Sequence, residues 1–303
     1  MARPSRTALK VARFMLLLDT VPRMRAVLPA GAATTAEAIL SSSGAVPQRH
    51  VDMMRSQRTV RAYAALERVL GEGQLLWFGV RKRWMHYVST AAIADGVSQV
   101  LVVGAGFDPL AALLAGQHPD TFFLEIDAPA TAEPKRAGVQ AAGLARPNHQ
   151  VMSADLAVDP LPEVLGTTRW RTHARSLVLA EGLLMYLHPA DVERFFTAVR
   201  GTTGPGSRIA FTSVDADEQG RPRVGFSTGK LNRFIQLALR LAGEPMHFGM
   251  PPSQVPAFLA PLGYTPLEQP TADDLRARFL DPHGLHSEPL APYEHLVLAA
   301  RNA

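Results

Sequence analysis

Two textures divide the chain at about residue 95. Before it, apolar residues recur at helical spacing with little strand character. SRTALKVARFMLLLD sets Leu9, Ala12, Phe14 or Met15, Leu16 and Leu17 on one broad face. SQRTVRAYAALERVL sets Val60, Tyr63, Ala64, Leu66 or Glu67, and Leu70 three and four apart. The stretch between them, LPAGAATTAEAILSSSGAVP, is rich in Gly, Ser and Pro and predicts a mobile connection.

From about residue 97 short apolar runs alternate with helical stretches. Strands are predicted at QVLVVG, TFFLEID, HQVMSA, SLVLAE and RIAFTSV, and helices at PLAALLAG, PATAEPKRAGVQAAG and PADVERFFTAVR. Strand, helix, strand repeated at this spacing means a mostly parallel sheet covered on both faces. After residue 220 the pattern predicts helices at KLNRFIQLALRLAG and PPSQVPAFLAPLG, then a last strand, EHLVLAA. The chain therefore reads as an α/β protein with a doubly wound sheet. Residues 1–95 form a helical cap, and residues 96–303 form the sheet domain with a helical insertion around 225–262.

In such a sheet, ligands bind outside the carboxyl ends of the strands. Gly104, Ala105 and Gly106 follow the first predicted strand, Asp127 ends the second, Asp155 follows the third and Glu181 the fourth. Gly104 and Gly106 allow a tight turn against which a ligand can approach bare backbone. Asp108 and Pro109 suit a helix start, with Asp as N-cap and proline at the first helical position. Pro109 stands where a dinucleotide fold places its third glycine, which argues against a bound pyrophosphate. Asp127 lies 21 residues after Gly106, the distance at which an acidic residue accepts hydrogen bonds from a ribose diol. Glu125 on the same strand face competes for that role, and either could cap the next helix. Asp155 also reads as a solvated loop acid. Glu181 closes an apolar run, where an unpaired carboxylate is costly and a cationic ligand would satisfy it.

Composition narrows the chemistry. The 303 residues are 47% hydrophobic and 19% charged, as in ordinary globular proteins. The net charge of +4 is small, and no basic block exceeds Arg81–Arg83, so nucleic acid is not an expected partner. Arginine outnumbers lysine 27 to 4. The absence of cysteine excludes disulfides, a thiol nucleophile and thiolate metal sites. No 18-residue apolar run exists and RFMLLLD is too short for a signal-peptide core, so a cytoplasmic protein without membrane contact is expected. His283, His286 and Glu288 have ligand-like spacing, but in a Pro- and Gly-flanked stretch, and no metal is expected there. Oligomeric state is not legible.

Taken together, these motifs resemble the class I S-adenosylmethionine-dependent methyltransferases, a Rossmann-like fold, and within them the leucine carboxyl methyltransferase-like branch and its bacterial relatives. VLVVGAGFDPLAALLA is similar to the branch's glycine motif, FFLEIDAPATAEPKR (with Lys135) to its second motif, SADL to its adenine-side motif and AEGLLMYL to its post-strand motif. The resemblance covers most of residues 80–215. It implies S-adenosylmethionine as cofactor, cradled by Gly104, Ala105 and Gly106, with Asp127 on the ribose and Asp155 and Leu156 framing the adenine. It also places Glu181 at the methionine end and Arg81 on the cofactor's carboxylate, and leaves open whether Arg6, Lys10 or Arg13 reaches the site.

The implied activity is O-methyl transfer to a small molecule or peptide of secondary-metabolite type. A carboxylate acceptor is preferred because it needs no base, with Tyr186 and Arg81 as the catalytic candidates. A phenol or alcohol acceptor is the alternative and would need a base, for which His86 is the candidate. A nicotinamide-dependent oxidoreductase and a non-catalytic cofactor-binding protein are the readings from other classes. Pro109 and Glu181 count against the former.

Overall fold

The computed structural model describes residues 6–70, 72–217, 221–223, 237, 240 and 245–303. Helices α1 (Arg6–Thr20), α2 (Pro22–Arg25), α3 (Ala32–Ser42), α4 (Gln48–Met54), α5 (Gln57–Leu70) and α6 (Gln74–Ala94) precede the first strand. Strands and helices then alternate as β1 (Gln99–Val103), α7 (Leu110–Gln117), β2 (Phe122–Asp127), α8 (Pro129–Ala141), β3 (His149–Ser153), α9 (Leu161–Gly166), β4 (Ser176–Ala180), α10 (Pro189–Gly201) and β5 (Arg208–Val214). The described part of the C-terminal region adds α11 (Val255–Leu259), β6 (Tyr264–Glu268), α12 (Ala272–Phe279) and β7 (Glu294–Arg301).

The sheet runs β3-β2-β1-β4-β5-β7-β6, parallel from β3 to β5, with β7 antiparallel to both β5 and β6. Strand order reverses direction between β1 and β4, which opens a crevice at their carboxyl ends. Every residue of β1 and β4 is buried, as expected for strands covered on both faces. Successive β1 residues alternate between two cores: Val100 and Val102 pack with Trp84, Val88 and Leu114, and Leu101 and Val103 with Phe196, Phe211 and Val255. A third core joins α1, α3 and α4 to Phe107 and Val139 of the sheet domain.

The structure departs from the sequence pattern in four places. The connection between the first two predicted helices contains α3, whose Ala32, Ala33, Ala36, Ile39 and Leu40 are buried against α1 and α8. Alanine's helix preference and the apolar three-to-four spacing outweigh the flanking Gly and Ser. On α5, Val60 and Tyr63 touch the third core while Ala64 and Leu66 are exposed, so the buried stripe is narrower than the pattern implied. Strand β6 reads poorly because Pro266 interrupts it; it is an edge strand with a register shift between Pro266 and Glu268, where proline is tolerated. The α12 helix, opened by a capping box between Thr271 and Asp274, was also not anticipated. The helix predicted over KLNRFIQLALRLAG falls, apart from Leu237 and Arg240, outside the described residues.

Candidate active site

Strand β1 delivers the chain into a turn in which Gly104 (φ 68°) and Gly106 (φ 50°) adopt the left-handed backbone that glycine accepts without strain. A Cβ at Gly104 would lie 3.0 Å from Leu183 Cδ1, so this position also needs a bare backbone for packing. The turn is fastened to the end of β2. Gly104 N–H donates to the Ile126 carbonyl (2.9 Å), and Gly106 N–H donates to Asp127 Oδ2 (2.7 Å). Asp127 Oδ1 accepts from Ala128 N–H at 2.8 Å. Burial raises the Asp127 carboxyl above its ordinary value, and the Gly106 amide only partly offsets this.

Asp108 closes the turn. Its Oδ1 accepts from Leu110 N–H (2.9 Å) in a turn just ahead of α7; the helix begins at Leu110, so Pro109 and not Asp108 occupies the N-cap position. Its Oδ2 is ion-paired with Lys82. Burial alone would raise the Asp108 carboxyl, but the Lys82 ammonium beside it holds it below the ordinary value.

The methionine-end candidates meet on α6. Arg81 Nε lies 2.7 Å from Glu181 Oε1, and Lys82 Nζ lies 2.6 Å from the same oxygen. Arg81 Nη1 donates to Glu294 Oε1 (2.6 Å), and the guanidinium sits over the Phe78 ring at 4.8 Å. Burial would lower the Arg81 pKa, but Glu294 and then Glu181 outweigh it and fix the guanidinium in its charged form. Glu181 is thus partnered by the protein itself, where the sequence had suggested a ligand cation. The second oxygen of Glu294, Oε2, is buried with no hydrogen-bond partner among the described residues.

These groups line a cavity of about 210 Å³ at the carboxyl edge. Arg81, Gly104, Ala105, Gly106, Asp127, Glu181 and Tyr186 all border it, so most of the residues singled out from sequence converge. Asp155 and Leu156 do not. Asp155 is exposed and builds a turn, accepting from Ala157 N–H at 3.1 Å, while Leu156 packs against the core that holds Phe196. His86 does not border the cavity either. Burial, with Arg83 and His118 nearby, holds its imidazole below the ordinary value. Glu125 is removed from competition with Asp127 because it is buried in an ion pair with Lys135, with His149 Nε2 at 2.8 Å. Lys10 lies over the Phe14 ring at 5.1 Å, and neither it nor Arg13 borders the cavity; the Arg6 side chain lies outside the described residues. Among the described residues no group of three or more His, Asp or Glu could hold a metal ion, and Glu288 pairs with Arg23 at 2.5 Å. No described helix is long and apolar enough to cross a membrane.

Sequence reasoning missed Lys82, Glu294 and Val11, all of which border the cavity. Lys82 was absorbed into a basic run. Glu294 opens its strand, whereas Glu181 follows one, so the rule that places carboxyl ends of parallel strands at one edge did not reach it. Val11 projects from a helix whose pattern only announced a core.

A doubly wound, mostly parallel sheet with a glycine turn after β1, a carboxylate at the end of β2 and charged groups further along one crevice defines an α/β protein whose candidate site lies at the carboxyl edge of the sheet. The family can be stated as well: the leucine carboxyl methyltransferase family model matches residues 33–200, more than half of the chain, and the protein belongs to that family. A relative from Mycobacterium avium (strain 104), named "Putative S-adenosyl-L-methionine-dependent methyltransferase", is 30% identical over 196 residues, 64% of this chain and 63% of that protein. One of the same name from Mycolicibacterium paratuberculosis is 34% identical over 141 residues, 46% of each chain. The match thus spans between about half and two thirds of the length of these relatives. The fold is shared with the crystal structure of a "putative methyltransferase" from Thermobifida fusca YX, with a TM-score of 0.51, 17% identity and coverage of 89% of this chain and 94% of that one.

The family implies S-adenosylmethionine as cofactor, and the residues present fit it. Among the described residues, four carboxylates border the cavity (Asp108, Asp127, Glu181 and Glu294) against two cations, Arg81 and Lys82, an excess of two negative charges. A sulfonium cofactor carrying one net positive charge complements that field, whereas the pyrophosphate of a dinucleotide opposes it. Asp127 gives one hydrogen bond's worth of each oxygen to the backbone, and an ionised carboxylate has about four acceptor sites, so capacity for a diol is left.

Proposed function

We propose that the protein is an S-adenosylmethionine-dependent O-methyltransferase acting on a small molecule or peptide. The observation that carries this reading is the cavity itself: a glycine turn tied to Asp127 at one end and an acidic cluster around Arg81 at the other. When bound, the cofactor supplies a methyl group on a positively charged sulfur. The chain's residues bind and orient. Asp127 accepts from the ribose hydroxyls, the glycine turn presents backbone to the nucleoside, and Arg81, already fixed by two carboxylates, offers its remaining N–H groups to the cofactor's carboxylate. Val11, Leu183 and Met185 supply apolar lining that excludes water, which strengthens attraction inside the site. Tyr186 borders the same cavity and serves as the orienting hydroxyl for the acceptor.

The charge pattern bears on the acceptor. A carboxylate acceptor needs no base, but it does need a cation to receive it in the site. Arg81 and Lys82 both face protein carboxylates, so a second anion would enter against the excess negative charge. A hydroxyl acceptor, neutral as it binds, fits the cavity better; as its oxygen takes the methyl group, its proton passes to water or to one of the carboxylates that border the cavity, since His86 does not. The test is methyl transfer from methyl-labelled S-adenosylmethionine into the native cellular extract, followed by mild alkali. Label stable to alkali is an ether and supports the hydroxyl reading. Label released as methanol is an ester and restores the carboxylate. No transfer of label to any component contradicts the activity.

A further inference from the structure

The acidic end of the cavity holds three carboxylates and two cations in one contact network. Lys82 lies between Asp108 and Glu181, and Arg81 between Glu181 and Glu294. With Asp108 and Glu181 alone the network would be neutral, so Glu294 is the group that makes this end negative. It comes from β7, the antiparallel strand paired with β5 (Val214 opposite Glu294), and not from the parallel core that supplies Asp127 and Glu181. Along the sheet edge the order is Asp127 on β2, the glycine turn after β1, Glu181 after β4, then Glu294 beyond β5. Glu294 therefore stands on the far side of Glu181 from the ribose position. It is 9% exposed, borders the cavity, and gives one oxygen to Arg81, while the other has no hydrogen-bond partner among the described residues. The three carboxylates and two cations of the network sum to one negative charge, and the interior screens that charge far less than water does.

We propose that Glu294 sets the charge preference of the cavity, raising its affinity for the positively charged methyl donor relative to the neutral thioether left after transfer. This rests on the reading of the site as one for S-adenosylmethionine. The donor and S-adenosylhomocysteine differ by a methyl group and one positive charge, so a fixed negative charge nearby acts on their affinity ratio more than on binding as such. For unit charges about 8–10 Å apart at an effective dielectric of about 20–40, removing one shifts the ratio on the order of tenfold.

Calorimetric titration of S-adenosylmethionine and S-adenosylhomocysteine, without acceptor, into wild type, Glu294→Gln and Glu294→Asp tests the proposal. Glu294→Gln is expected to weaken the donor relative to the thioether by about tenfold, because the Arg81 contact can persist while the charge is lost. Glu294→Asp keeps the charge and is expected to hold the wild-type ratio within about twofold. Should Glu294→Gln not yield folded protein, Glu294→Met repeats the measurement. An unchanged ratio in the neutral variant, or equal weakening of both ligands, overturns the proposal and makes Glu294 a structural partner of Arg81. A ratio in Glu294→Asp equal to that in Glu294→Gln overturns it too, since contact and not charge would then matter. Wild type binding neither ligand would instead contradict the assignment of the cofactor site.

Discussion

Replacing Asp127 by alanine separates the two tasks its carboxylate performs. In the folded chain it accepts from Gly106 N–H at 2.7 Å and from Ala128 N–H at 2.8 Å. Ala128 is exposed and its amide can turn to water, but Gly106 is buried and its amide would be left without a partner. A buried unsatisfied donor costs about 1–3 kcal/mol. Some of that is returned, because burial already penalises the ionised Asp127 and raises its pKa. A net loss of about 1–2 kcal/mol is expected, lowering the melting temperature by about 2–3 °C. Binding loses more. Hydrogen bonds from a ribose diol to a charged acceptor are worth about 1.5–3 kcal/mol, which corresponds to an S-adenosylhomocysteine affinity weaker by about 10- to 150-fold. Titration calorimetry at a temperature well below both melting points reads the affinity, and a thermal scan reads the stability. A lowered melting temperature with unchanged affinity would refute the ribose assignment and leave Asp127 as a loop-former only.

Gly138→Ala places a Cβ 2.5 Å from the Ile39 carbonyl oxygen, where α3 crosses α8. Overpacking of about 1–3 kcal/mol should exceed the roughly 1 kcal/mol that alanine gains over glycine in a helix, so a denaturant midpoint below wild type is expected, and an increase would show that the crossing yields. Lys135→Met strands the buried Glu125, with an expected loss of about 3–5 kcal/mol, and Lys135→Met with Glu125→Gln should recover most of it in a double-mutant comparison. Asp108 carries its acid signature in the opposite sense from Asp127. Its folded pKa lies below the unfolded value near 3.9, so the Lys82 pair stabilises above about pH 4 and that contribution disappears as pH falls through the lower folded value. The stability gap between wild type and Asp108→Asn should therefore be full at pH 7 and shrink below pH 4; a gap independent of pH would show that the pair contributes nothing through charge.

The parallel sheet was legible because β1 and β4 are fully buried and β2 and β5 nearly so, so apolar runs of strand length stand out from the helical stretches between them. The edge was not: β6 contains Pro266, which in isolation speaks against a strand, and only pairing with β7 makes it one. The glycine turn, Asp127 and Glu181 could be placed because strand ends in a parallel sheet share one edge, a rule that acts on sequence position alone. Lys82 and Glu294 could not, since their place depends on how α6 and an antiparallel strand from the end of the chain approach that edge. Asp155 shows the converse failure. Its position after β3 is right for the edge, yet its carboxylate is engaged in a local turn with Ala157 and it does not border the cavity.

The claim on which all of this depends is that the cavity between the glycine turn and the Arg81 network holds a nucleoside joined to an amino acid and not a dinucleotide. Thermal unfolding of the wild-type chain with S-adenosylhomocysteine, NAD or NADP at a hundredfold excess over a dissociation constant measured by titration tests it most directly. Binding to the native state alone should stabilise by about 2.7 kcal/mol with the thioether nucleoside and leave the transition unmoved with either dinucleotide. Stabilisation by NAD or NADP, with none by S-adenosylhomocysteine, would contradict the account.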